Sequence, residues 1–180
     1  MIQMILQTLW LFLPALLANL TPPLVKKIDF LGYPVDFGAK FRGQRVFGDH
    51  KTFRGLFFGI IVAMAVAYIQ MRLYAYPAFQ WLSIMDYPYY NVLLLGFLLG
   101  FGALFGDMVK SFFKRQVGIK PGKSFVPFDQ LDFLIGAVVF LLFVYIPSWK
   151  IVAVLLVVGF LLHVVTNLIG YLIGVNKQII

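Results

Sequence analysis

Five apolar runs separated by polar stretches organise the chain, at residues 2–20, 56–73, 92–105, 133–146 and 151–175. Crossing a hydrocarbon core of about 30 Å takes roughly 20 helical residues, so the third and fourth runs are short by that standard. The runs are continuous rather than alternating, which disfavours a β-barrel; backbone groups in lipid must bond within their own segment, which favours helices. The two short runs are therefore expected to continue as helix into the charged stretch between them, where protein rather than lipid surrounds polar groups. The pattern predicts an all-α membrane protein of one domain, residues 1–180, with five transmembrane helices and two polar loops, about 21–55 and 107–131.

Composition places the chain outside the soluble class: 62% of residues are apolar, 12% are charged, and the mean hydropathy is +0.92. No basic residue precedes the first run, so it reads as a retained helix with its N-terminus outside rather than as a cleaved signal peptide. Assigning loops alternately then puts every Lys and Arg except Arg72 and Lys150 on one side, together with the tail residue Lys177. Basic loops stay inside, so that side and the C-terminus are expected to be cytoplasmic, in a multi-pass protein of the cell (plasma) membrane. Tyr74, Tyr76, Trp81, Tyr87, Tyr89 and Tyr90 crowd the opposite loop and read as an interfacial aromatic belt. The absence of cysteine removes thiolate metal sites, disulfides and cysteine nucleophiles together.

The remaining charge is concentrated where chemistry needs it. A helix through the third run would carry Asp107, Ser111, Lys114 and Arg115 at i, i+4, i+7 and i+8, one face with a carboxylate, a hydroxyl and two cations, and Lys110 at its edge. Asp129 and Asp132 follow at i, i+3 at the start of the fourth helix, where the helix dipole favours carboxylates. Three aspartates in a chain without glutamate make a hard-oxygen set suited to Mg²⁺, which takes one or two carboxylates together with substrate phosphates. The competing reading makes Asp129 a helix cap and Asp107 a local ion pair.

The first polar loop opens with Thr21-Pro22-Pro23, expected to end the first helix, and closes with Gly48-Asp49-His50-Lys51-Thr52-Phe53-Arg54-Gly55 just before the second. Lys51, Thr52 and Arg54 at a helix start offer an ammonium, a hydroxyl and a guanidinium fork to phosphate, although the spacing is not that of a P-loop. A basic flank that merely touches anionic lipid is the plainer reading of this loop alone. Lys120, Lys123 and Ser124 extend the set of phosphate-binding candidates, and Asn19 stands where it could meet a substrate headgroup. His163, Thr166 and Asn167 in the last run read as interhelical hydrogen-bonding groups rather than metal ligands.

These residues resemble a known signature. Ser111, Lys114, Arg115, Lys120, Val126 and Pro127, followed by Asp129-Gln130-Leu131-Asp132, match in register the motif of the CDP-diacylglycerol synthases, membrane cytidylyltransferases. Pro121 and Gln130 depart from that motif, and its His-Gly-Gly turn is missing between Pro127 and Asp129. With the Gly48–Gly55 segment and the chain length, the layout is similar to the archaeal branch, the CDP-archaeol synthases. The resemblance implies transfer of CMP from CTP to an unsaturated ether-lipid phosphate, with release of pyrophosphate. It implies Asp107, Asp129 and Asp132 as holders of Mg²⁺ and catalytic residues with Lys114. The lipid phosphate is already an anion, so alignment and charge neutralisation suffice without a strong base. Its tails would enter sideways between helices.

The expected partners are CTP, a lipid phosphate and membrane lipids, with no nucleic acid; pairing into a homodimer stays open. Competing readings are a diacyl-lipid enzyme acting on phosphatidic acid, a CDP-alcohol phosphotransferase, whose aspartate pattern is not found here, and a lipid-binding transporter or scaffold.

Overall fold

The computed structural model describes residues 1–119, 123 and 125–172. Lys120, Ser124 and Lys177 lie outside the described residues, as do the side chains of Thr166 and Asn167. Among the described residues the chain forms five long or medium helices, α1 (Ile2–Leu24), α2 (Phe53–Leu73), α4 (Val92–Gln116), α5 (Phe128–Leu141) and α6 (Trp149–Leu172), with a short α3 (Pro77–Leu82) in the connection after α2. By length and composition α1 with its following turn (Ile2–Lys27), α2 and α4 can each cross a membrane. The first polar loop is not purely irregular: β1 (Lys40–Phe41) and β2 (Gln44–Arg45) form a small antiparallel hairpin. Its two-residue turn, Arg42-Gly43, has both φ angles positive (50° and 80°), the geometry that suits tight hairpins.

The third run does continue as helix: α4 passes without a break through Asp107, Ser111, Lys114 and Arg115 to Gln116. The fourth run also continues as helix into the charged stretch, but falls short at its other end. Helix α5 begins at Phe128, ahead of the apolar run, but stops at Leu141 instead of reaching 146. Its 14 residues rise only ~21 Å, and Pro147 biases the end of the run away from helical geometry.

Thr21-Pro22-Pro23 does not end the first helix either. Helix α1 carries on to Leu24, and Thr21 bonds back within it, its hydroxyl donating to the Leu17 carbonyl at 2.7 Å. The prolines cost N–H groups rather than the helix itself. The consequence is clearest at Pro14, which leaves the Trp10 carbonyl without its helical partner. Buried Gln70 of α2 supplies the missing donor, its Nε2 lying 2.5 Å from that oxygen.

Helix α4 is the central element and packs against α1, α2 and α5, while α5 packs on α6. Leu11, Phe12 and Ala15 of α1, Leu95, Leu99 and Ala103 of α4, Leu134, Ala137 and Leu141 of α5, and Leu155 of α6 share one core. The α4–α5 seam is backbone against backbone. A Cβ built on Gly136 would fall 2.1 Å from the Gly102 carbonyl oxygen, and one on Gly106 would fall 2.2 Å from that of Asp132. Small residues allow this approach, which suits helices that gain little from burying apolar surface in lipid.

At the far end from the two polar loops, the aromatic belt is only partly as expected. Tyr76, Trp81 and Tyr89 are exposed, but Tyr87 is fully buried in the core and packs edge-on against Tyr74 with centroids 5.9 Å apart. Tyr74 in turn donates to Asp86 at 2.5 Å. Tyr87 is therefore a core residue, a correction that follows from the chain folding inward between α3 and α4 rather than lying along an interface.

Candidate active site

Helices α4 and α5 present their charged ends to each other across the glycine seam, and the first polar loop closes over them. The central group is Lys110. Its Nζ lies 3.0 Å from Asp107 Oδ1, 3.1 Å from Asp129 Oδ1 and 2.8 Å from Asp132 Oδ2, so all three aspartates converge on one cation. Two further ammonium groups complete the cluster. Lys51 pairs with Asp107 Oδ2, and Lys114 Nζ lies 3.0 Å from both oxygens of Asp129. The described residues thus place three carboxylates against three ammonium groups, and no side chain of the cluster is more than about a quarter exposed. Burying charge at this density is tolerable only because each ion is paired.

Local structure explains the aim of each group. Asp107, Lys110, Ser111 and Lys114 recur at helical spacing on α4, and Ser111 and Lys114 are both buried. Asp129 is not the α5 N-cap; that position is Pro127. Asp129 sits in the first turn and accepts from the Phe125 N–H at 2.6 Å, while Lys114 also donates to the Lys123 carbonyl at 2.6 Å. Lys123 and the 125–129 turn are therefore strapped to α4 through Lys114. Lys123 contributes this carbonyl, its side chain being exposed.

The first loop arrives by a different route. A bridge between Pro34 and Thr52 and a 2.7 Å bond from the Val35 N–H to the Lys51 carbonyl hold the strand-like segment that carries Lys51. Behind it, the Asp36 carboxylate accepts from Arg45 Nη2 at 2.7 Å and from the N–H groups of Phe47, Gly48 and Gly38 at 2.9, 3.1 and 3.1 Å. Burial by itself would raise the Asp36 pKa. The Arg45 guanidinium and three backbone donors outweigh it and hold the carboxyl well below the usual carboxylate range. Nothing in the spacing of Asp36 foretold this role, because its partners are gathered by the path of the loop.

Among the described residues, three cavities of several hundred Å³ meet at this cluster. A polar cleft of about 470 Å³ is lined by Asn19, Lys51, Thr52, Arg54, all three aspartates and His163. A cationic cavity of about 360 Å³ is lined by Arg45, Lys51, Lys110, Ser111, Lys114 and Arg115. An apolar groove of about 560 Å³ runs between α4 and α5 past Val109, Phe113, Phe128, Ile135 and Val139, with Lys110 and Asp132 on its lining. Lys110 borders all three. Sequence spacing set it at the edge of the α4 face; the i, i+3 step from Asp107 was the signal that it belongs in the middle.

Most residues expected in the site are therefore brought together, with two diverted. Thr52 lines the cleft, but its Oγ1 accepts from the Gly55 N–H at 3.2 Å as the N-cap of α2. Arg54 lines the cleft while donating to the Ile28 carbonyl, which ties down the loop. Arg115 Nε is buried with no hydrogen-bond partner among the described residues, on the wall of the cationic cavity. His163 faces the aspartate cleft from α6, so it borders the site itself instead of serving only to join helices.

Carboxylates and clustered cations set between a polar cleft and an apolar groove, in a chain with three membrane-length helices among its described residues, define an integral membrane protein equipped to handle a polyanion beside a lipid. The comparisons agree. The CarS-like family, described as CDP-archaeol synthase, matches residues 1–179. The CDP-archaeol synthase of Methanococcoides burtonii is 40% identical over 161 residues, covering 82% of this chain and 90% of that protein. The one from Pyrococcus furiosus is 40% identical over 173 residues and covers 93% of each. A solved structure of an intramembrane enzyme for archaeal membrane lipids biosynthesis superposes with a TM-score of 0.72 at 29% identity, covering 89% of this chain and 92% of that one. The chain belongs to the CDP-archaeol synthase family.

Proposed function

We propose that the site transfers CMP from CTP to an unsaturated archaetidic acid, giving CDP-archaeol and pyrophosphate, with Mg²⁺ as cofactor. The observation that carries this reading is the junction at Lys110: a cationic cavity fit for a polyphosphate and an apolar groove open between α4 and α5, fit for an isoprenoid tail, meet at that side chain. The family and its curated relatives support the cytidylyltransferase over a lipid-binding scaffold.

The donor set suits a hard cation. Asp107, Asp129 and Asp132 already aim carboxylate oxygens at one cationic point, and they would be the residues to hold Mg²⁺. As the side chains stand an ammonium takes that point, and no group of three or more His, Cys, Asp or Glu among the described residues is spaced around a bare ion. When bound, the ion would neutralise phosphate charge and favour departure of pyrophosphate. The chain's own groups do the rest. Lys114, Arg115 and Lys51 line the cationic cavity and stabilise the charge that grows on the leaving phosphates. Ser111, buried on the same wall, orients a phosphate oxygen. The attacking lipid phosphate is already anionic, so the reaction is carried by alignment in a partly dehydrated site.

The same reading has five membrane crossings, α3 excepted, an N-terminus outside, and the active site on the cytoplasmic face of the plasma membrane, where CTP is available. The basic residues of both polar loops support that orientation. The test is purified protein with labelled CTP, Mg²⁺ and either an unsaturated ether-lipid phosphate or diacyl phosphatidic acid. The ether lipid should acquire CMP. If neither lipid does, the cytidylyltransferase reading falls; if only the diacyl lipid reacts, the lipid assignment falls and the chemistry stands.

A further inference from the structure

We infer that Lys110 is the resident cation of the aspartate cluster, holding Asp107, Asp129 and Asp132 together until a divalent ion displaces it, and then reaching the phosphates in the adjoining cationic cavity. The inference rests on the Mg²⁺-dependent reading above and deepens it. Three observations carry it. Lys110 Nζ contacts each of the three carboxylates within 3.1 Å, so it occupies the position from which all three can be bridged. The cluster is already neutral, three carboxylates against the ammonium groups of Lys51, Lys110 and Lys114. A divalent ion entering alone would leave buried excess positive charge, a costly state at low dielectric. Lastly, Lys110 borders the cationic cavity as well as the carboxylate cleft, so its ammonium has an adjoining place to go, beside Ser111 and Arg115.

The physical logic is an exchange of partners. Without substrate, Lys110 prevents the three carboxylates from repelling one another across the α4–α5 seam. When a metal arrives with a polyphosphate, the carboxylates turn to the metal and the freed ammonium pairs with phosphate oxygens, so neither is left without a partner once both ligands are bound. Metal binding should accordingly be weak without nucleotide, because the ion must first evict a lysine.

The experiment measures Mn²⁺ binding to the full-length protein in detergent, without nucleotide, by electron paramagnetic resonance. Lys110→Met keeps the length of the side chain and removes its charge; it should bind Mn²⁺ at least about tenfold more tightly than the wild type. Its melting temperature should fall in EDTA and recover on adding Mn²⁺ by more than the wild type gains. Equal or weaker Mn²⁺ binding by the methionine variant overturns the inference, since a merely structural lysine would alter stability alone. Lys110→Arg retains the charge and decides the matter even if the methionine variant does not fold: it should bind Mn²⁺ no more tightly than the wild type, and tighter binding overturns the inference. CMP transfer by the wild type that persists undiminished in EDTA would instead strike the Mg²⁺ reading, a separate result from either Mn²⁺ comparison.

Discussion

The two halves of the candidate active site are mounted in opposite ways. Asp107, Lys110, Ser111, Lys114, Asp129 and Asp132 stand on two helices whose backbones touch at Gly102, Gly106 and Gly136. Lys51 stands on the first polar loop, pinned by a single buried carboxylate, Asp36, and by a bridge to the start of α2. A helix seam fixes many groups at once and fails all together if the backbones are forced apart. A pinned loop fixes one or two groups and fails at its pin. The difference separates the residues on which the proposed reaction would depend from those that would deliver a substrate contact, and each can be broken on its own.

The largest effect is expected on the seam's chemistry. Asp107→Asn keeps the shape of the side chain but removes the charge paired with both Lys51 and Lys110. CMP transfer should fall about 100- to 1,000-fold in protein still folded at the assay temperature, and the melting temperature should fall as well, because two buried ammonium groups lose a partner. Retention of more than a tenth of the activity would remove Asp107 from the reacting centre.

Next comes the seam itself. Gly136→Ala puts a methyl group where the Gly102 carbonyl oxygen stands, a contact with backbone that no rotamer change relieves. A cost of about 1–3 kcal/mol is expected, together with loss of activity as Asp132 and Asp107 are pushed apart. Gly159→Ala is the control, because its new methyl would meet only the tip of the Leu134 side chain, which can turn away. A thermal scan and an activity assay of both variants check this; equal losses would mean the seam has slack.

Helical spacing made the seam half legible in advance. Asp107, Ser111, Lys114 and Arg115 fall on one face whenever residues 92–116 are helical, and Asp129 and Asp132 follow from a helix that starts at Phe128. Spacing did not reveal that Lys110 is the hub, because a face is an angular range and the true centre depends on where α5 packs. The loop half was legible only as a list of phosphate-binding types. Asp36 draws its partners from positions 38, 45, 47 and 48, an arrangement with no period that a pattern could detect. The Thr21-Pro22-Pro23 step misled for the opposite reason: a strong local breaker signal was overridden in the last turn of α1, where the two prolines forgo only their own bonds to the Ala18 and Asn19 carbonyls and almost no helix follows.

Breaking the pin should give a smaller loss than breaking the seam. Asp36→Asn leaves one acceptor oxygen where four donor groups converge, and cancels the pair with Arg45. CTP turnover should fall about tenfold through misplacement of Lys51, with the loop cut faster by protease than in the wild type. The pH dependence has a definite sign. Asp36 has a folded pKa below its unfolded value, so its contribution is fully present above the ordinary carboxylate range and is lost as pH falls through that range toward the folded value. The protease difference between variant and wild type should therefore stay constant from about pH 8 to 5 and shrink only below about pH 4. A difference that already fades between pH 7 and 5 would show that some other group pins the loop.

The smallest expected effect sharpens the comparison most finely, because it concerns a residue with two candidate tasks. Thr52 lines the polar cleft, yet its hydroxyl oxygen already accepts the Gly55 N–H as the cap of α2. If capping is what the hydroxyl chiefly does, Thr52→Ala should cost about 1 kcal/mol, read as a fall of about 2–4 °C in melting temperature. The KM for CTP should move less than about twofold, and Thr52→Ser should restore the stability, since serine caps as well as threonine. A large rise in KM with little change in melting temperature would reverse the assignment and make the hydroxyl a phosphate ligand. The loop half of the site would then bring its own ligands to the substrate, and its pin at Asp36 would matter for more than the placing of Lys51.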